Sequence, residues 1–193
     1  MTQNISLSFT ATILVNGFPL LVLNDAADKA VVVPHVDSNL GQMNISRGLG
    51  MLGTPDEVWD DARQQALVDF HVTGQTSPAV FHFRHTDEGY QLSLRSGGSS
   101  GQAVVKNRFG IPKVKPVEEA TPSSWHMRLA HTGEVVTLSD LYTETAVINL
   151  ECADSHKHLT THLIAQGEGG YLITHGSAPA TRLRLNILER GVE

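Results

Sequence analysis

A duplicated segment constrains the fold of this chain more than any other feature. Residues 80–94, VFHFRHTDEGYQLSL, align with residues 124–138, SWHMRLAHTGEVVTL. Each copy is a β-rich run, a glycine turn at Gly89 or Gly133, and a second β-rich run. One such unit cannot bury its own apolar face, so several units must stack on one another. The pattern predicts an all-β protein built from repeated strand, glycine turn, strand units.

Weaker versions of the unit lie on both sides of the duplicated pair. Residues 159–174 resemble a third copy, and the N-terminal segment FTATILVNGFPLLVLN has the same layout. Its Asn16-Gly17 pair favours the positive φ angles of a type I′ turn, which predicts a hairpin within residues 6–24. The run KAVVVPHV predicts a further strand that Pro34 confines to an edge. Three good units favour a β-trefoil-like fold; a very small propeller and a two-sheet β-sandwich are the alternatives.

One segment has the pattern of a helix. Thr54 is suited to an N-cap, Pro55 to the first helical position and Glu57 to a capping box. We therefore expect one inserted capped helix near residues 54–66. The alternating run at residues 66–72 then predicts a return to extended structure.

Length and composition fit one globular unit. The chain has 193 residues, of which 40% are hydrophobic and 18% charged, which is enough to bury a core as a single β-domain spanning residues 1–193. The proline-rich segment 110–123 has no periodicity and predicts an extended connector. It is the candidate for a boundary within the domain.

The charge and hydropathy of the chain indicate which partners and which cellular location to expect. The net charge is −6 and the basic residues are scattered, so a nucleic-acid partner is not expected. No run approaches the ~20 apolar residues of a membrane span. The N-terminal apolar run lacks the basic residues of a signal peptide, which predicts a cytoplasmic protein or one released without a classical signal peptide. Cys152 is the single cysteine, so no intramolecular disulfide can form.

The duplicated segment also repeats a polar pair. The apolar residues of each copy take one face of the first strand, while His82 and Arg84, or His126 and Arg128, take the other. An arginine with a neighbouring histidine suits a carboxylate, sulfate or phosphate group through forked hydrogen bonds. These four residues are the candidate ligand-binding residues. The alternative is that the copies share surface residues through common ancestry alone.

The segment SHKHLTTHLIAQ, residues 155–166, carries the candidate metal ligands. In a strand His156, His158 and His162 would share one face, and two imidazoles at positions i and i+2 can meet one zinc ion. His162 would lie about 13 Å from His158 at ~3.3 Å per residue, too far to join without a bend. The alternative is a histidine face exposed to water.

No catalytic motif is present: the sequence lacks a nucleophile elbow, a phosphate-binding glycine loop and a zinc-protease helix. We therefore expect no cofactor and favour a non-catalytic, lectin-like binding module for a glycan or another polar or anionic surface ligand. One alternative is an enzyme that uses a divalent metal such as zinc on the histidine-rich strand. Another is an assembly subunit whose edge strands pair with a partner, including a homo-oligomer.

Overall fold

A computed structural model describes residues 4–35, 38–53, 62–63, 65, 68–73, 76–164, 169–174 and 178–193. The protein is all-β, as predicted, with very little helix in these ranges. Its short 3₁₀ turns lie at Ile5–Leu7, Leu23–Asp25, Ser38–Leu40, Val117–Glu119 and Leu138–Asp140. The strands are β1 (Phe9–Val15), β2 (Phe18–Pro19), β3 (Leu21–Val22), β4 (Val32–Pro34), β5 (Gln42–Asn44), β6 (Leu49–Leu52), β7 (Val80–Thr86), β8 (Gly89–Leu94), β9 (Gln102–Lys106), β10 (Pro112–Pro116), β11 (Ser124–Leu129), β12 (Val135–Val136), β13 (Thr145–Cys152), β14 (Thr160–Ile164), β15 (Gly169–Ile173) and β16 (Leu183–Arg190).

Six strands close into a barrel. Around its wall the order is β1, β7, β8, β11, β13, β16 and back to β1, with every neighbouring pair antiparallel. The β8–β11 contact is short, since it consists of Trp125 opposite Tyr90 and Ser124 opposite Gln91. This contact closes the sheet on itself, which a two-sheet sandwich does not do.

The strands can bury one face inside the barrel because they alternate inward and outward side chains. In β1 every second residue from Phe9 to Val15 is buried, and β16 alternates in the same way. The interior is filled by side chains, as expected for a barrel of this size. The Phe9 and Phe83 rings stack with centroids 4.5 Å apart, and the edge of Tyr90 meets Phe9 at 5.6 Å.

Three excursions leave the barrel, one between each alternate pair of barrel strands. The first, between β1 and β7, contains β2 to β6; the second, between β8 and β11, contains the β9–β10 hairpin; the third, between β13 and β16, contains the β14–β15 hairpin. Strands from the first and third form a separate sheet in the order β14, β15, β6, β3. A bridge between Gly48 and Lys113 connects the first excursion to the second.

The N-terminal hairpin is confirmed. β1 pairs with β2 through Val15 opposite Phe18, and the turn between them has φ of 52° at Asn16 and 88° at Gly17. Two consecutive positive φ angles are those of a type I′ turn. The strand predicted at KAVVVPHV is also present as β4, which ends at Pro34.

The repeat is only partly reflected in the structure. Residues 80–86 and 124–129 form equivalent barrel strands, β7 and β11. The runs after their turns differ, because β8 is a barrel strand whereas β12 is a two-residue strand paired only with β11. In the third copy, the described strands β14 and β15 lie in the separate sheet rather than in the barrel. The trefoil-like repeat is therefore not confirmed by these strands alone.

Two other predicted segments have different outcomes. The helix near residues 54–66 falls mostly outside the described residues, which include only 62, 63 and 65 of that range, and it stays a prediction. Residues 110–123 were expected to be an extended connector, and they contain a strand, β10, which pairs along its length with β9. β10 forms because Val114 is buried against the hydrophobic core and supplies the apolar side of a short strand.

Of the run at 66–72, the described residues 68–72 keep their alternation without forming one of the strands given above. Val68, Phe70 and Val72 are buried, whereas Asp69 and His71 are exposed. The segment pairs with another part of the chain through a single β-bridge, between Ala27 and Val72. In the part of the chain that the structure describes, no helix has the length and apolar character needed to cross a membrane.

Candidate functional site

A pocket of about 510 Å³ lies on the outside of the barrel against β7 and β8. Its charged, imidazole and amide side chains come from His82, Arg84, Gln91, Arg95 and Glu193. The remaining lining residues are Leu92, Ser93, Ala103, Val117, Thr121 and Pro122. The alternation of β7 explains the position of His82 and Arg84, because Phe81 and Phe83 turn into the barrel.

His82 is held as a neutral imidazole between two partners. Its Nδ1 atom lies 3.3 Å from a guanidinium nitrogen of Arg95, and its Nε2 atom lies 3.3 Å from the carbonyl oxygen of Val192. Arginine can only donate, so Nδ1 accepts and Nε2 carries the proton that it donates to Val192. Burial lowers the pKa of His82, and the charges of Arg95 and Arg84 lower it further.

The positive charge of the pocket therefore comes from two arginines. Arg84 donates to the side-chain oxygen of Gln91 at 3.1 Å and is otherwise exposed. Arg95 contacts His82 and also donates to the backbone oxygen of Glu193. The sequence predicted His82 with Arg84, but it missed Arg95 as the second cation.

The second copy of the polar pair has different surroundings. Arg128 forms a two-pronged contact with Glu151, with Nε to Oε2 at 2.8 Å and Nη2 to Oε1 at 3.2 Å. It also donates to the carbonyl oxygen of Gly133 at 2.8 Å. The Glu151 side chain is only 7% exposed, so Arg128 neutralises a carboxylate that is almost buried. Arg84 and Arg128 are equivalent in position but not in environment.

The candidate metal ligands gather around the same carboxylate. His156 Nδ1 lies 3.5 Å from Oε1 of Glu151, and His158 Nε2 lies 3.6 Å from Oε2. Burial acts to raise the pKa of Glu151, but Arg128 and the two histidines outweigh it and leave that pKa below its usual value. We call Arg128, Glu151, His156 and His158 the Glu151 cluster.

The predicted histidine strand is wrong in its first half. Residues 153–155 form a turn, His156 has a left-handed φ of 52°, and β14 begins only at Thr160. The turn forms because backbone bonds from His156 to Cys152 and from Cys152 to Lys157 close a tight loop. The three histidines therefore do not share one strand face.

The remaining two candidate histidines lie elsewhere. His162 is on β14 with its ring centroid 5.6 Å from that of Tyr171, its cross-strand neighbour. His126 is half-buried on β11, opposite Glu151 in the β11–β13 register. Within the described ranges, no three His, Cys, Asp or Glu residues form a group that could hold a metal ion.

Sequence reasoning missed Glu151 as well as Arg95. Glu151 ends the apolar run VINL, and its role becomes visible only when β13 is paired with β11 in the observed register. Arg95 follows β8 directly, and the hairpin turn at residues 87–88 places it near His82. Counting cross-strand pairs outward from that turn could have identified Arg95 as a neighbour of His82.

No protein-family model, curated protein or solved structure matches the chain.

Proposed function

We propose that the protein is a non-catalytic binding module, lectin-like in action, that recognises a glycan or another polar surface ligand carrying an anionic group. The observation that carries this proposal is the convergence of Arg84 and Arg95 on a pocket of about 510 Å³. Small-molecule pockets commonly have volumes of ~300–1,000 Å³, so one or two sugar rings suit this space.

The composition of the pocket wall supports an anionic sugar. Guanidinium groups bind carboxylate and sulfate oxygens through two parallel N–H donors. Val117 and Pro122 provide an apolar surface for the C–H faces of a sugar ring. His82 already has a partner on each nitrogen, so its role is to orient Arg95 rather than to contribute charge.

The fold is consistent with this class of protein. The six-stranded antiparallel barrel has one excursion after β1, one after β8 and one after β13, and this arrangement supports a trefoil-like topology. We propose that the chain is trefoil-like, with β1 to β7, β8 to β11 and β13 to β16 as its three units. The proposed units begin at β1, β8 and β13, whereas the two copies of the sequence repeat begin at β7 and β11.

A glycan array tests the binding role. The wild-type protein should retain carboxylated or sulfated glycans over neutral ones, because Arg84 and Arg95 give the pocket two cationic groups against the one acidic side chain of Glu193. The double variant Arg84→Gln, Arg95→Gln should lose at least about tenfold of that retention, the equivalent of one charged hydrogen bond. Arg184→Gln, on the exposed side of β16, is the control for altered surface charge.

Retention of acidic glycans by the double variant at the wild-type level would contradict the proposal. So would equal retention of neutral and acidic glycans by the wild-type protein. Circular dichroism of each variant separates loss of binding from loss of folding.

A further inference from the structure

A second, smaller cavity has a positively charged lining and lies apart from the first. It measures about 150 Å³ and is lined by Lys106, Asn107, Arg108, Phe109, Gly110, Ser155, Lys157 and Thr174. None of these residues lines the first pocket. Its volume is below the ~300 Å³ at which pockets for drug-sized molecules begin, so a small ion is the suitable occupant.

Three cations give this cavity its charge. Lys106, Arg108 and Lys157 line it, and no residue of the described lining is acidic. The ion pairs found among the described residues involve none of the three. Like charges held together repel one another, and a bound anion would relieve that repulsion.

The geometry of the walls is fixed by backbone and side-chain hydrogen bonds. The Asn107 side chain accepts from the amides of Phe109 at 3.0 Å and Ile111 at 2.9 Å, which shapes the turn between β9 and β10. Thr174 donates to Gly110 through both its amide and its hydroxyl. The Arg108 guanidinium lies 4.6 Å from the centre of the Phe109 ring, which holds that long side chain against the turn.

The opposite wall is the loop that follows β13. Bonds from the Cys152 amide to the Lys157 carbonyl and from the His156 amide to the Cys152 carbonyl, each 2.9 Å, fix its shape. The Ser155 hydroxyl oxygen is buried and has no regular hydrogen bond within the described residues. Burial acts to raise the pKa of the Cys152 thiol, but contacts with Ser155 and Lys106 lower it overall, so the surroundings favour negative charge.

We infer that this cavity binds a tetrahedral oxyanion, a phosphate or sulfate group, between Lys106, Arg108 and Lys157. Lysine and arginine supply the charge, and the Ser155 hydroxyl offers a neutral hydrogen bond. The group is either a free ion or the terminal group of a larger molecule. The site is independent of the glycan pocket of the proposed function.

An NMR titration with inorganic phosphate at constant ionic strength tests the site. The wild-type protein should show saturable amide shifts at residues 107–110, 155 and 157, which sodium chloride does not reproduce. The double variant Arg108→Gln, Lys157→Gln should weaken binding at least about tenfold. The charge-matched control Lys29→Gln, Arg184→Gln should bind as the wild-type protein does.

Three further measurements test whether the shifts arise from this cavity and which kind of ligand it binds. Arg84→Gln, Arg95→Gln should leave these shifts unchanged, because those arginines line the other pocket. Glucose 6-phosphate that binds more tightly than phosphate would indicate a group on a larger molecule, and equal affinity would indicate a free ion. Ser155→Ala, a small change in the wall, should weaken binding without altering the fold.

Two results would overturn the inference. One is the absence of saturable shifts in residues 107–110 and 155–157 of the folded wild-type protein, a result that does not depend on any variant. The other is unchanged phosphate affinity in a folded Arg108→Gln, Lys157→Gln protein.

Discussion

Gly89 lies directly against the backbone of Trp125. A β-carbon at Gly89 would be 2.7 Å from the carbonyl oxygen of Trp125, and the φ of Gly89 is 114°. This contact is at the short β8–β11 seam where the barrel closes. A side chain at position 89 would therefore push the two seam strands apart.

We expect Gly89→Ala to destabilise the protein by about 3 kcal/mol or more, from backbone strain together with overpacking. Gly133→Ala is the matched control, because Gly133 also has a positive φ, 76°, but a β-carbon added there would meet no described atom within 4 Å. Gly133→Ala should lower the free energy of unfolding by only about 1–2 kcal/mol, because it adds backbone strain without a steric clash. Urea unfolding measures both, and equal losses would show that the seam has no steric limit at Gly89.

Removing Arg128 should cost more stability than removing Arg84. Arg128→Gln leaves the nearly buried Glu151 carboxylate without its two-pronged partner, so we expect a loss of about 2–3 kcal/mol. Arg84→Gln removes one contact at an exposed side chain and should cost about 0.5 kcal/mol or less. Chemical denaturation of the two variants is the measurement. A larger loss for Arg84→Gln would contradict the assignment of Arg84 to binding and Arg128 to structure.

The Tyr90 hydroxyl group connects the barrel strand β8 to the 3₁₀ turns at Ile5–Leu7 and Leu138–Asp140. It donates to the carbonyl oxygen of Leu7 at 3.1 Å and accepts from the amide of Leu138 at 2.8 Å. Burial raises the pKa of Tyr90 to about 12, so the hydroxyl stays protonated at neutral pH.

Tyr90→Phe keeps the ring but leaves both partners unsatisfied, and we expect a loss of about 1–3 kcal/mol. Thermal unfolding monitored by circular dichroism checks this value. A Tm equal to that of the wild-type protein would mean that water replaces both hydrogen bonds without cost.

The free energy of unfolding should fall as the pH drops below about 6.5, which is the ordinary pKa of a histidine side chain. Burial lowers the pKa of both His82 and His85 in the folded protein. The unfolded chain therefore binds protons first, at about pH 6.5, and proton uptake favours unfolding from there down to the lowered values. At higher pH the two histidines are neutral in both states and contribute no pH dependence.

Urea midpoints measured between pH 8 and pH 5 test this expectation. The double variant His82→Gln, His85→Gln should have a flatter profile than the wild-type protein. Glu151 acts in a separate window, because its pKa is lowered from 4.5 and its stabilising effect is lost only as the pH falls below that value. A wild-type midpoint that rises from pH 7 to pH 5 would contradict the role of the histidines.

Local patterns in the sequence were enough to predict individual strands. The Asn16-Gly17 turn follows from backbone conformation alone, and the apolar face of β7 follows from alternation. The equivalence of residues 80–86 and 124–129 also emerged from the repeat, since both segments are barrel strands.

The candidate sites depend on contacts that no local pattern encodes. Glu151 reaches Arg128 only through the register of two strands, and the histidine run bends because the loop after Cys152 satisfies its own backbone groups. The sequence offered the chemistry of Arg84 and Arg128 but not their different surroundings. Those surroundings assign one arginine to a pocket and the other to a buried carboxylate.

The pairing of β1 with β16 brings the two ends of the described chain together. Thr12 lies opposite Asn186, and the amide of Gly191 donates to the carbonyl oxygen of Ser8 at 2.8 Å. During synthesis on the ribosome, β1 cannot pair with β16 until nearly all of this sequence has been made. A contact between residues so far apart in sequence slows folding. The same proximity means that a short linker between residues 191 and 8 could join β16 to β1 in a circularly permuted variant, with new ends opened at an exposed turn.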